Sequence, residues 1–170
     1  MSKVFMIFLL IVWGSGYSAE NNEAEKFPLY RWHKIVGGTN LMLATGSAIS
    51  GSMVLEKYKN NERPSDGLLY THRTLGSLTT VFALTNGYLG FKNYNDFKNI
   101  EEGKRKRNLH RIFSSLSILG FATAAILGAA ASAQYKDAST PSEVKIADSH
   151  RAAALSATGL AITTVLVLQF

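Results

Sequence analysis

Charge is confined to a few short stretches of this chain, and that segregation limits its fold more than any other feature. Four apolar segments, about 35–55, 74–91, 112–133 and 152–170, contain no Asp, Glu, Lys or Arg. Between them lie "EKYKNNERPSDG", "KNYNDFKNIEEGKRKRN" and "YKDASTPSEVKIADS", where the charges gather. Each apolar segment is close to the roughly twenty residues a helix needs to cross a bilayer at about 1.5 Å per residue. Charged residues make up 18% of the 170, against roughly 25% in an ordinary soluble domain. The layout is that of an all-α, polytopic membrane protein, and the short polar connections make neighbouring helices antiparallel. The expected architecture is a membrane-spanning, up-down-up-down four-helix bundle. Pro28, Pro64 and Pro141 all fall before expected helices, where proline costs least.

Ahead of the bundle, Lys3, the ten apolar residues "VFMIFLLIVW" and the small residues of "GSGYSA" read as a signal peptide over residues 1–19. Ten apolar residues are too few to span a bilayer. The bundle then occupies residues 20–170. The sequence contains no cysteine, which excludes disulfides, thiolate metal sites and covalent c-type haem attachment.

Histidine occurs four times, in "RWHKIVGG", "YTHRTLGS", "NLHRIFSS" and "DSHRAAAL". Each time it stands at the mouth of an apolar segment and is followed at once by Lys or Arg. His33, His72, His110 and His150 recur at an even interval, roughly 40 residues, which is an internal repeat of one helix plus one loop. In an up-down-up-down bundle His33 and His110 sit near one membrane face, and His72 and His150 near the other. Helices one and three are diagonal partners, as are two and four, so inward-facing imidazoles form two pairs, one per face.

An ionisable residue inside a membrane is a functional candidate by default, and imidazole is a common metal ligand. Two imidazoles make a poor zinc site, which wants about four ligands. They do suit the two axial positions of a haem iron, because the porphyrin supplies four nitrogens. The face running down each helix from its histidine is built of small residues. Helix one gives His33, Gly37, Asn40, Ala44, Ala48 and Gly51; helix two gives His72, Gly76, Thr79, Ala83, Gly87 and Gly90. Helix three gives His110, Ser114, Ser117, Phe121, Ala124 and Gly128; helix four gives His150, Ala154, Ala157, Ala161 and Thr164. Such stripes leave room for a flat macrocycle, and equally let membrane helices pack closely. Lys34, Arg73, Arg111 and Arg151, next to the histidines, are placed to pair with haem propionates or to snorkel at the membrane boundary.

The four histidine positions and their diagonal pairing, over about residues 30–170, resemble the cytochrome b561 family. That resemblance implies two b-type haems, one near each face, with His33 paired to His110 and His72 to His150. It also implies electron transfer across a membrane. Many members of that family have six helices where this chain has four, and no counterpart of the substrate motif of ascorbate-using members stands out. Donor and acceptor therefore stay open between quinol and a redox partner protein, and the chain also fits a haem-binding subunit of a larger redox complex. A haem-free membrane protein using its histidines as a metal or proton site is the remaining alternative. The plasma or inner membrane is the expected location. The run Lys104–Arg107 suits an acidic redox partner, anionic lipid or plain solvent exposure. Nucleic acid is not an expected partner.

Overall fold

The computed structural model describes residues 28–97, 99–137 and 146–169, all of them helix or short connection. The signal-peptide segment 1–19 and Pro141 lie outside the described residues. Four helices follow in order: α1 (Pro28–Lys59), α2 (Asp66–Phe97), α3 (Lys104–Asp137) and α4 (Ile146–Gln169). Among the described residues there is no strand.

The helices begin before the apolar segments do. His33 is the sixth residue of α1, His72 and His110 are the seventh of α2 and α3, and His150 is the fifth of α4. The histidines therefore sit more than a turn inside their helices rather than at their mouths. Local chemistry explains the early starts. Pro28 opens α1, where its missing N–H costs nothing. Ser65, following Pro64, accepts a hydrogen bond from Leu68 N at 3.3 Å and so caps α2. Before α3, Gly103 takes a left-handed φ of +67°, which glycine adopts without strain. Its carbonyl accepts from Arg107 N at 3.0 Å. The end of α1 is closed by Asn61 at φ 56°, a left-handed residue of the kind that commonly ends helices. There Glu62 N donates to Lys57 O at 2.8 Å.

Packing is closest within two antiparallel hairpins, α1/α2 and α3/α4. The hairpins meet more loosely through α2/α3 and α1/α4, which leaves α1/α3 and α2/α4 as the diagonals. The core is narrow and made largely of small side chains. Ala44, Ala83, Phe121 and Ala157 form its centre, and the faces traced from the histidines are the buried ones, adding Asn40, Thr79, Ser117, Ala124 and Thr164. Large apolar side chains point outward instead: Ile126 is 71% exposed, Phe91 66% and Leu119 64%. Such an exterior suits hydrocarbon rather than water. Helices α3 and α4 each carry a stretch long and apolar enough to cross a membrane. Hydroxyls along the helices satisfy themselves on the preceding turn. Thr45 does so on Leu41 O (2.9 Å), Thr79 on Leu75 O (2.8 Å) and Thr158 on Ala154 O (2.9 Å).

Candidate haem sites

Each histidine rests on the far end of the neighbouring helix in its own hairpin, and all four do so in the same way. The Nδ1 of His33 lies 3.2 Å from Asn86 O, and that of His72 lies 3.2 Å from Ser47 O. The Nδ1 of His110 lies 3.1 Å from Thr164 O, and that of His150 lies 2.7 Å from Ala124 O. A carbonyl oxygen only accepts, so Nδ1 carries the proton and Nε2 keeps its lone pair. At His72 the Ser50 hydroxyl, whose own hydrogen goes to Gly46 O, lies 3.4 Å from Nδ1 as a second acceptor.

Four residues beyond the acceptor carbonyl, in three of the four cases, stands a glycine. A Cβ on Gly51 would fall 2.7 Å from His72 Cε1; on Gly90 or Gly128 it would fall 3.0 Å from Cε1 of His33 or His150. The imidazoles thus occupy the volume that a side chain would need. The corresponding fourth position, for His110, is Leu168 in the sequence.

Anchored in this way, the rings meet across the diagonals. The centroids of His33 and His110 are 5.9 Å apart with planes at 82°; those of His72 and His150 are 5.8 Å apart with planes at 70°. The rings brought together are those of the diagonal helix partners, His33 with His110 and His72 with His150. With metal–nitrogen bonds of about 2 Å and about 1 Å from each nitrogen to its ring centre, ligation from opposite sides puts imidazole centres roughly 6 Å apart. Among the described residues no cluster of three or more His, Cys, Asp or Glu side chains surrounds either pair. Such a donor set suits a metal that brings its other ligands with it.

A cavity of about 550 Å³ opens between the hairpins at the His72/His150 end, lined by both histidines, by Gly51, Gly76 and Gly128, and by Arg73 and Arg151. Two of the four expected cations therefore border this space. The other two stand against aromatic rings, in the geometry of a cation over a π face. Lys34 Nζ is 5.1 Å from the Tyr30 ring centre, and the Arg111 guanidinium is 4.3 Å from that of Tyr94.

The sequence reading missed the anchoring carbonyls, since every residue has one. It found the glycines but took them only as room for a macrocycle or for helix packing. Their reversed register supplied the missing signal. Gly51 faces His72 as Gly90 faces His33, because the two helices of a hairpin run past each other symmetrically about their loop.

A four-helix bundle that turns an apolar exterior outward and sets paired imidazoles within it has the design of a haem-ligating membrane protein. The family model for eukaryotic cytochrome b561 matches residues 3–98, more than half of the chain, and the chain belongs to that family. The family's proteins are membrane-embedded, bind haem b and transfer electrons with redox partners. No curated protein and no solved structure gives a match. The matched stretch covers α1 and α2, and the hairpin beyond it repeats the same histidine geometry.

Proposed function

We propose that the chain holds two b haems, one ligated by Nε2 of His33 and His110 and one by Nε2 of His72 and His150, and carries electrons from one membrane face to the other. The observation behind this reading is the fourfold anchoring of Nδ1 on a backbone carbonyl, with ring centres 5.8 and 5.9 Å apart. It fixes the tautomer a metal requires and holds each ring before binding, as outer partners of ligating histidines do. Bound there, each haem supplies a one-electron iron couple. The protein orients the ligands, excludes bulk water and sets the local charge.

Arg73 and Arg151 border the cavity and pair with the propionates of the His72/His150 haem. The same role for Lys34 and Arg111 requires them to leave Tyr30 and Tyr94. All four helices cross the membrane, the plasma or inner membrane being the setting, and residues 1–19 serve as the signal.

A reduced-minus-oxidised visible spectrum with a haem-to-protein ratio tests the reading. About two low-spin b haems per chain are expected, with one lost in His33→Ala and the other in His72→Ala. A colourless protein that takes up no haem overturns it.

A further inference from the structure

Tyr58 is the one phenol on the wall of the His72/His150 cavity, and its hydroxyl makes no hydrogen bond among the described residues. The residue is buried, with 8% of its surface exposed. A buried tyrosine usually finds a partner for its O–H, and leaving one bare is costly. The ring itself is accounted for. It stacks on Tyr135 of α3, centroids 5.3 Å apart and planes at 29°, and clusters with Val54, Leu55 and Leu69. Phenylalanine would pack there equally well, so apolar packing explains the ring and not the hydroxyl.

The charge lining the same cavity is unbalanced in a matching way. Arg73 and Arg151 border it, and no Asp or Glu does. Among the described residues neither arginine forms an ion pair. The Arg73 guanidinium acts electrostatically on the Tyr58 hydroxyl, so the two belong to one neighbourhood. Tyr58 also stands two turns along α1 beyond Gly51, the seat of His72, in the direction of the loop. A guanidinium only donates, and a phenol has a proton to give at neutral pH. On the loop side of the histidines, then, the cavity gathers two cations and a phenolic donor, and holds no carboxylate to receive them. Water would satisfy the phenol alone. A carboxylate answers all three groups.

We infer that Tyr58 is a haem-binding residue, its O–H donating to a haem carboxylate that Arg73 and Arg151 neutralise in the His72/His150 cavity. The inference rests on the haem reading above and deepens it, adding a neutral donor to the two charged ones. Stacking on Tyr135, which belongs to the other hairpin, holds the donor in place before the carboxylate arrives.

The test follows haem release from the full-length protein in detergent to excess apomyoglobin. Two loadings are compared, haem b and its dimethyl ester, which lacks free carboxylates. Tyr58→Phe keeps the ring stack and removes only the hydroxyl. It should speed release of one of the two haems about tenfold, the effect of one hydrogen bond to a charged group, and leave the other unchanged. In a His33→Ala background the remaining haem should show that acceleration. With the dimethyl ester the difference between the wild type and Tyr58→Phe should disappear. The thermal melt of the haem-free protein should not move, as it would if the hydroxyl served only the fold. Unchanged release from Tyr58→Phe, or an acceleration equally large with the ester, overturns the inference and leaves the haem reading standing. A wild-type protein that takes up no haem overturns both.

Discussion

The two ends of the bundle hold like pairs of histidines in different surroundings. Beyond His72 and His150 the helices close over an apolar plug of Val54, Leu55, Tyr58, Leu69 and Ala147, with Leu68, Ala131 and Tyr135 packed against it. Tyr58 and Tyr135 stack at 5.3 Å, and the Arg63 guanidinium lies 5.9 Å from the Tyr135 ring centre. Around His33 there is no such plug among the described residues. Instead Asn40 and Asn93 each bury an amide oxygen that no donor among the described residues reaches. Identical histidine pairs can therefore sit beside a cavity walled by apolar and aromatic side chains at one end and among buried amides at the other, and the environment rather than the pair is what distinguishes them. Burial and hydrogen bonding near a haem are among the levers that set its potential, so the His33/His110 and His72/His150 centres should differ in midpoint.

That comparison is broken most sharply at the glycine seats. Gly51→Val sets a branched side chain where His72 stands and should cost nearly the whole haem of that end while sparing the other, as read from a haem titration. Retention of both haems would show that the 2.7 Å approach relaxes freely. Gly90→Ala meets His33 at 3.0 Å and should cost less, a partial loss of the opposite haem.

A smaller effect is expected at the polar end. A buried acceptor left without a donor costs about 1–3 kcal/mol, so Asn40→Leu, which removes one and keeps a similar volume, should raise the unfolding midpoint. A fall instead would mean that ordered water partners the amide. At the plugged end, Tyr135→Leu breaks the ring stack and should destabilise by about 1 kcal/mol, while an unchanged midpoint would show that the plug does not depend on it. The smallest change is expected for Lys59→Ala. The Lys59–Asp148 pair spans 3.7 Å with both side chains more than half exposed. Its loss should cost well under about 1 kcal/mol in a thermal or denaturant melt.

Much of this architecture was legible in the sequence, for a physical reason. A histidine in an otherwise uncharged membrane segment is rare, and four at nearly equal spacing fix which helices pair and which face is inward. The buried faces follow the expected stripes, from Asn40 and Ala44 on α1 to Ala157 and Thr164 on α4. Helix starts were less legible, because hydropathy marks the hydrocarbon boundary whereas caps such as Ser65 mark where helix begins. The Tyr58–Tyr135 stack was not legible at all. It joins residues from different hairpins, and nothing local to either tyrosine announces the other.

Each hairpin carries one histidine for each end: His33 and His72 on the first, His110 and His150 on the second. Neither half of the chain owns a complete site. A chain cut in the connection between α2 and α3 would yield two fragments that each hold two single ligands and gain their partners only by docking. Loading with haem and joining of the halves would then be one event, with the macrocycles acting as rivets between two prefabricated leaves.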